Sequence, residues 1–580
     1  MHSLDWAVVG TYLAITLAVG VWLSRRASGG LVDFFVSGRS LRWWLAGTSM
    51  AATTFSVDTP LYVTGLVARR GIAGNWEWWA FGLSHVLLIY IFARLWRRAE
   101  VVTDVELTEL RYGGRPAAVL RASRAFLFAV PINCIAIGYV MLAMRKVIEA
   151  LGLFGTLPIW LPGDARLWAV VALSIFVLVY AGLSGLWGVV ATDFFQFALA
   201  MLGAIIVAAF ALQEIGGVVE LKRQLAEVGR ADALRMMPRP GSVDLPFGTF
   251  LAYLGIQWWA FRRSDGGGEF VQRLSACRDE REAERAAWLF NILHYVVRAW
   301  PWIVVALASI VIFPELMEPG GDPELGYPLL MLRYLPVGLL GLVVASFVAA
   351  FMSTVSTQIN WGASYVVNDL YARFIDSEAA PRKMVALGRL ASALIVALAG
   401  AAAFYADDVG KVFRFMIAIG TGPGAVLILR WFWWRVNAWA ELAAMFAGFA
   451  IALISYLPAW GDVSFGARLA ITAGGSAMVW IPVMFLTAPE NEETLEAFYR
   501  RVRPGGPGWS RVRTRLDLQP VTRLGDDLIR TAWAALALIG GMLAVGGLVL
   551  GEWRTALFTG ALAAAGIVGL VRSAPRRVVG

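Results

Sequence analysis

Cysteine and histidine are nearly missing from this chain. Two cysteines, Cys134 and Cys277, and three histidines stand among 580 residues. So few cysteines exclude a disulfide framework and a cysteine-rich metal centre, and three histidines leave little material for a zinc site. Charge is scarce as well: charged residues make up 16% of the chain, against roughly a quarter in a soluble protein. No nucleophile–base set points to an enzyme. Abundant instead are hydrophobic residues, 59% of the total, with a mean hydropathy of +0.66. The chain therefore reads as an all-α polytopic membrane protein. Its first apolar segment carries no cleavage-site pattern and reads as a true span, not a signal peptide. The net +9 charge clusters in particular loops, which fits anchoring at an inner leaflet of the lipid bilayer better than contact with nucleic acid.

A span needs about 20 mostly apolar residues. Candidates are 5–24, 43–66, 75–96, 122–151, 166–184, 189–212, 247–272, 286–313, 335–365, 387–405, 411–430, 436–458, 466–487, 529–550 and 554–572, about fifteen in all. Arginines gather in alternate loops: Arg25, Arg26, Arg39 and Arg42; Arg94, Arg97, Arg98 and Arg111; Arg273, Arg278, Arg281 and Arg285; then Arg382 with Lys383, and Arg500 to Arg530. Placing these loops in the cytoplasm of a bacterial inner membrane puts the N-terminus outside and the C-terminus inside. The loop 214–246 carries basic residues against the pattern, but long outer loops weigh little in orientation. Residues 488–528 are polar and basic, and predict a cytoplasmic segment without a soluble domain.

Two spans are interrupted. The second holds Thr53, Thr54, Ser56, Asp58 and Thr59 just before Pro60, and proline removes a backbone donor and clashes with the preceding turn. The seventh contains "WWAFRRSDGGGEFVQR" (258–273), whose three glycines each weaken a helix by roughly 1 kcal/mol. Irregular backbone at membrane depth survives only where it is buried or lines a wet cavity. The interruptions lie five spans apart, so a second five-helix unit runs through the membrane in the opposite sense. Such inverted repeats, with substrate and ion sites at paired broken helices, are the pattern of secondary transporters.

"DFFVSGRSLRWWLAGTSMAATTFS" (33–56), "GLSGLWGVVATDFFQF" (182–197), "VQRLSACRDEREAERA" (271–286) and "AAFMSTVSTQINWGASYVVNDLY" (349–371) together resemble, in order, signature stretches of the solute:sodium symporter family. The resemblance covers roughly residues 1–487. It implies a leucine-transporter fold: a leading helix (5–24), two five-helix repeats (43–212 and 247–430) and two further helices (436–487). The basic segment 488–528 and a helical hairpin within 529–580 follow this transporter core.

The resemblance also implies the cargo ion, Na+. A hard cation takes oxygen ligands, and the family pattern places carbonyls on Ser56, Thr59 and Ala350 and hydroxyls on Ser353 and Thr354. Ala350, Ser353 and Thr354 share a helix face at i, i+3 and i+4. Hydroxyls in membrane helices otherwise bond back to their own helix. Asp193 matches a family aspartate that supports this site, and Asp58 resembles an acid of the proline-transporter branch. Asp58 either joins the ion shell or holds a proton.

Substrate candidates are Asp58 and Tyr62, Glu77 with Trp76, Trp78 and Trp79, then Gln257, Trp258, Trp259, Arg262, Arg263, Asp265, Gly267 and Glu269. Glu77 looks like a sugar-contacting glutamate of the sugar branch. Arg262 and Arg263 depart from the family pattern and leave two readings: a fork for a carboxylate or phosphate, or internal neutralisation of Asp58, Glu77, Asp265 or Glu269. The tryptophans of "RWFWWR" (430–435) read as an interfacial belt. His85 and His294 read as single interhelical hydrogen bonds, with proton relay as the alternative. The function expected is sodium-coupled import of a small organic solute, whether sugar, amino acid or organic acid. The alternatives are a solute sensor on a transporter fold and proton-coupled symport.

Overall fold

The computed structural model describes residues 1–23, 31–153, 164–403 and 408–573. Every named element among them is helical, and extended pairing is confined to two isolated backbone bridges. Arg25, Arg26 and most of the basic C-terminal tail lie outside the described residues.

Among the described residues eleven helices are long and apolar enough to cross a membrane, or twelve if the bent pair Ile72–Trp79 and Gly82–Ala99 is one span. This is a multi-pass membrane protein. Length and composition alone do not reach the expected fifteen or so spans. The shortfall falls on 43–66, 247–272 and 411–430, each of which is split by a break. The first split separates Trp43–Thr53 from Asp58–Arg70. Thr54 ends the first half by bonding back to the Met50 and Ala51 carbonyls at 3.1 and 3.0 Å, a local competition with the helix ladder. Pro60 then falls in the first turn of the second half, where its missing N–H costs nothing.

The second split lies between a helical run ending at Ala260 and the helix Gly268–Ala276. Gly266 and Gly267 have φ of +132° and +77° there, backbone that side-chain-bearing residues adopt only under strain. The third split, unforeseen in the sequence, separates Val409–Gly420 from Gly424–Phe432. It crosses the second break so closely that a Cβ on Gly424 would collide with the backbone of Trp259 to Phe261.

Unwound backbone in a membrane must find partners within the protein. The second and third breaks supply each other: the Arg262 N–H donates to the Gly420 carbonyl at 2.7 Å, and the Gly422 N–H to the Ala260 carbonyl at 2.8 Å. At the first break, Arg298 donates to the Ala51 carbonyl at 2.9 Å and the Thr354 hydroxyl to the Thr53 carbonyl at 3.1 Å. A further backbone pair, Leu41 N–H to Ala276 O at 2.9 Å and Arg278 N–H to Leu41 O at 3.0 Å, ties the start of one broken helix to the end of the other.

The Leu339–Ser364 helix is buried over most of its length and packs along Ala165–Ile215, which kinks at Gly185. The segment 488–528 is a packed unit containing the helices Glu492–Val502 and Ser510–Leu516. Trp509 donates to the Trp431 carbonyl at 2.7 Å, and Arg111 stacks near Tyr112, Phe498 and Trp509. Trp431 and Arg430 are consequently buried. That corrects the interfacial-belt reading for Trp431, because a neighbour distant in sequence covers it, while Trp433 and Trp434 are only partly buried. The hairpin Leu524–Val549 and Trp553–Arg572 packs beside the spans at 88–92 and 292–297. Arg97, Arg98, Arg278, Arg281 and Arg501 gather on one surface.

Candidate functional site

The breaks surround a cavity of about 190 Å3. Its wall takes Thr53, Thr54, Ser56, Asp58, Thr59 and Tyr62 from the first break, and Phe261, Arg262, Arg263 and Glu269 from the second. Trp78, Tyr139, His294, Arg298, Thr354 and Phe413 close the sides. A single water needs about 10–15 Å3 by this kind of measure, so the space suits a compact solute.

On one wall the first break meets the Leu339–Ser364 helix. Thr354 reaches the Thr53 carbonyl, and the Thr53 hydroxyl lies 3.1 Å from that of Thr357. Ser353 does not bond back to its own helix: it donates to Asp193 Oδ1 at 2.6 Å. Asp193 Oδ2 accepts from Ser49 at 2.5 Å and lies 3.6 Å from Arg273, with all these groups buried. Ala350 and Ser56 line a second, much smaller void of about 10 Å3. Thr59 stands in the first turn of Asp58–Arg70. Its N–H takes the Ser56 carbonyl at 3.1 Å, and its hydroxyl accepts the Ser56 N–H at 3.3 Å. Thr59 thus pins the turn, and Thr53 is the residue whose carbonyl faces Thr354. Thr53 is the last residue of the first half-helix, three positions before Ser56 across the unwound stretch.

The two adjacent arginines differ. Arg263 pairs with Glu269 at 2.6 Å, while Arg262 rests over the rings of Phe128 and Phe261 at 5.1 and 5.6 Å. Asp58 Oδ1 and Glu269 Oε2 are buried with no hydrogen-bond partner among the described residues. Arg298 donates to Ala51 and to the Thr54 hydroxyl, the latter at 3.1 Å. Its Nη2 lies 3.2 Å from His294 Nε2. Arginine only donates, so Nε2 accepts, and the His294 proton sits on Nδ1, 2.9 Å from Thr54 Oγ1. His85 Nδ1 faces the Tyr295 hydroxyl at 2.7 Å. Both histidines make interhelical bonds. Arg298 was missed in the sequence although a lone arginine inside "ILHYVVRAWPW" is itself a signal, since intramembrane charge is costly and marks function.

Several expected contacts stand outside the cavity. Glu77 is buried in a cluster of its own. It accepts from Tyr62 at 2.8 Å, Tyr253 at 2.9 Å and Arg70 at 2.7 Å, with Arg414 3.7 Å away. Gln257 donates to the Glu77 carbonyl at 2.6 Å. The indoles of Trp258 and Trp259 bond to the carbonyls of Leu254 and Gly255 in their own helix, and Trp76 bonds to the Met236 carbonyl. Trp79 is buried among Trp76, Trp78 and Trp300. Gly267 serves the break itself. Asp265 turns away and pairs with Arg430 at 2.7 Å and Trp431 Nε1 at 2.9 Å.

Broken membrane helices around a small cavity with charged side chains in its wall define a secondary transporter. A profile of the Sodium:solute symporter family matches residues 34–448, and the chain belongs to that family; sodium is its coupling ion. A sodium/glucose cotransporter of Vibrio parahaemolyticus is 25% identical over 492 residues, 79% of this chain and 86% of that protein. A sodium/mannose cotransporter of Bos taurus is 27% identical over 77% of this chain and 78% of its own length. Among solved structures, a Na+-coupled sialic acid symporter in a substrate-bound outward-open state superposes with a TM-score of 0.67 at 20% identity. The match covers 84% of this chain and 99% of that one, and it supports the leucine-transporter fold.

Proposed function

We propose that this protein imports a small organic solute (a sugar, amino acid or organic acid) by alternating access, with Na+ bound where the first break meets the Leu339–Ser364 helix. The observation that carries this is the approach of the Thr354 hydroxyl to the Thr53 carbonyl, beside Ser353 held on Asp193. The ion's oxygens are the Ser56 and Ala350 carbonyls, the Ser353 and Thr354 hydroxyls and the Thr53 carbonyl, with Thr59 fixing the turn. Asp193 supports the site through Ser353. A cation arriving between Thr53 and Thr354 replaces a weak hydrogen bond with ion–oxygen contacts and fastens the broken helix to its partner. The solute occupies the cavity beside Asp58, Tyr62, Trp78, Arg262, Arg263 and Glu269. Inward opening then parts the two walls and releases both.

Each Na+ carries about 2.3 kcal/mol per 100 mV of membrane potential into this cycle, in addition to its concentration term. In our reading residues 1–487 form the transporting core, and the arginine-rich surface faces the cytoplasm of a bacterial inner membrane, with the N-terminus outside. The test is uptake and current in proteoliposomes under imposed sodium gradients, across a panel of sugars, amino acids and organic acids. Currents that follow solute but never sodium would refute it.

A further inference from the structure

Resting on that reading, we propose that the solute carries a carboxylate, held in the cavity by Arg262 and Arg298. The charged groups facing the cavity are Arg262, Arg263 and Arg298 on one side of the ledger, and Asp58 and Glu269 on the other. The histidine geometry keeps His294 neutral, because its Nε2 accepts from Arg298. The wall therefore carries one more positive charge than negative. Sodium loading next to it adds another.

The surplus is localised. Arg263 is matched by Glu269, but among the described residues neither Arg262 nor Arg298 has a carboxylate within the 4.0 Å of an ion pair. Both are buried, with 6% and 1% of their surface exposed. Arg262 lines the cavity, and its guanidinium lies over the rings of Phe128 and Phe261. Arg298 spends part of its donor set on Ala51, Thr54 and His294, and its Nε is buried without an acceptor.

Structural roles explain only part of this. Capping the orphan carbonyls at the end of Trp43–Thr53 accounts for the Arg298 Nη1 donors. It accounts for neither the idle Nε nor the second guanidinium. A buried cation without a counter-charge costs several kcal/mol, and an arriving carboxylate removes that cost at a group whose planar fork matches it. A neutral sugar does not. The relatives that move glucose or mannose, as their names state, therefore do not predict the cargo of this chain. The arrangement also orders the cycle. Sodium at the adjacent break raises the positive potential of the cavity before the anion enters, so each ligand strengthens the binding of the other.

The test uses purified protein in nanodiscs, with propionate and benzoate, their primary amides and glucose as probes. Readouts are thermal stabilisation with and without sodium, and solid-supported-membrane currents. The carboxylates are expected to bind at least tenfold more tightly than the amides, and more tightly with sodium present. Arg262→Gln and Arg298→Gln each raise the half-saturating carboxylate concentration at least tenfold, and Arg262→Lys recovers part of the loss. Sodium-induced stabilisation of each variant reports that it is folded, which matters for Arg298 because it also caps a helix. Amides or glucose binding as well as carboxylates overturns the proposal, as does a carboxylate preference that survives in both Gln variants. Carboxylate binding indifferent to sodium contradicts the symport reading instead, and sodium-dependent transport restricted to neutral solutes contradicts this one alone.

Discussion

Replacing Thr354 with alanine isolates the proposed ion site better than any other single change. The hydroxyl lies 3.1 Å from the Thr53 carbonyl and lines the cavity wall, so its removal deletes one of about five oxygens offered to the cation. A bond from a neutral oxygen to a charged partner is worth about 1.5–3 kcal/mol, and each 1.4 kcal/mol is a factor of ten. The half-saturating sodium concentration should therefore rise roughly tenfold to a hundredfold, with maximal current little changed at saturating sodium. Thr354→Ser keeps the oxygen and should stay near wild type. Ser364→Ala is the matched control: that hydroxyl sits on the same helix but bonds back to the Trp361 carbonyl at 2.7 Å. Sodium titrations by solid-supported-membrane electrophysiology measure all three. If Thr354→Ala and Ser364→Ala shift the sodium dependence equally, the cation does not bind at this junction.

Asp193→Asn leaves fully buried Arg273 without its counter-charge, a loss of about 3–5 kcal/mol for a broken buried pair, read as a drop in thermal unfolding temperature in detergent. Glu77→Gln leaves Arg70 and Arg414 facing a neutral group. Because both side chains are 22% exposed, about 1–2 kcal/mol is lost, nearer the lower bound for bonds to charged groups. Faster labelling of a cysteine placed in the cavity would report the loosened contact between the helices that Glu77 joins. Gly424→Ala forces a methyl into the backbone of the neighbouring break and should cost about 3 kcal/mol, the upper end of ordinary overpacking. Loss of the monodisperse peak on size exclusion would register it, and a normally folded, active Gly424→Ala would contradict the close crossing.

How much was legible in the sequence depended on how local the cause was. The first two breaks announced themselves because Pro60 and Gly266 to Gly268 act on their own backbone. The third carries Gly422, Pro423 and Gly424 but no charge, and it reads as an ordinary span until its partner is seen. Glu77 was the clearest misplacement. Its tryptophan-rich neighbourhood suggested sugar contact, while its fate is set by Arg70, Tyr253 and Arg414 on other helices. The approach of the Thr53 carbonyl to Thr354 depends on where the helix unwinds, a point marked by Thr54 bonding back to Met50 and Ala51, which spacing alone does not reveal. The covering of Trp431 by Trp509 is likewise a contact between residues 78 apart in sequence.

The mutual backbone pairing of Arg262 with Gly420 and Ala260 with Gly422 has a mechanical corollary. Two elbows tied by shared backbone hydrogen bonds do not flex independently: straightening either one strands an amide of the other in hydrocarbon-like surroundings. The N-terminal halves of these two helices should thus swing as a single arm, carrying the Arg262 guanidinium with them. A perturbation far out on Val409–Gly420 would then be felt as altered cargo affinity without touching the cargo.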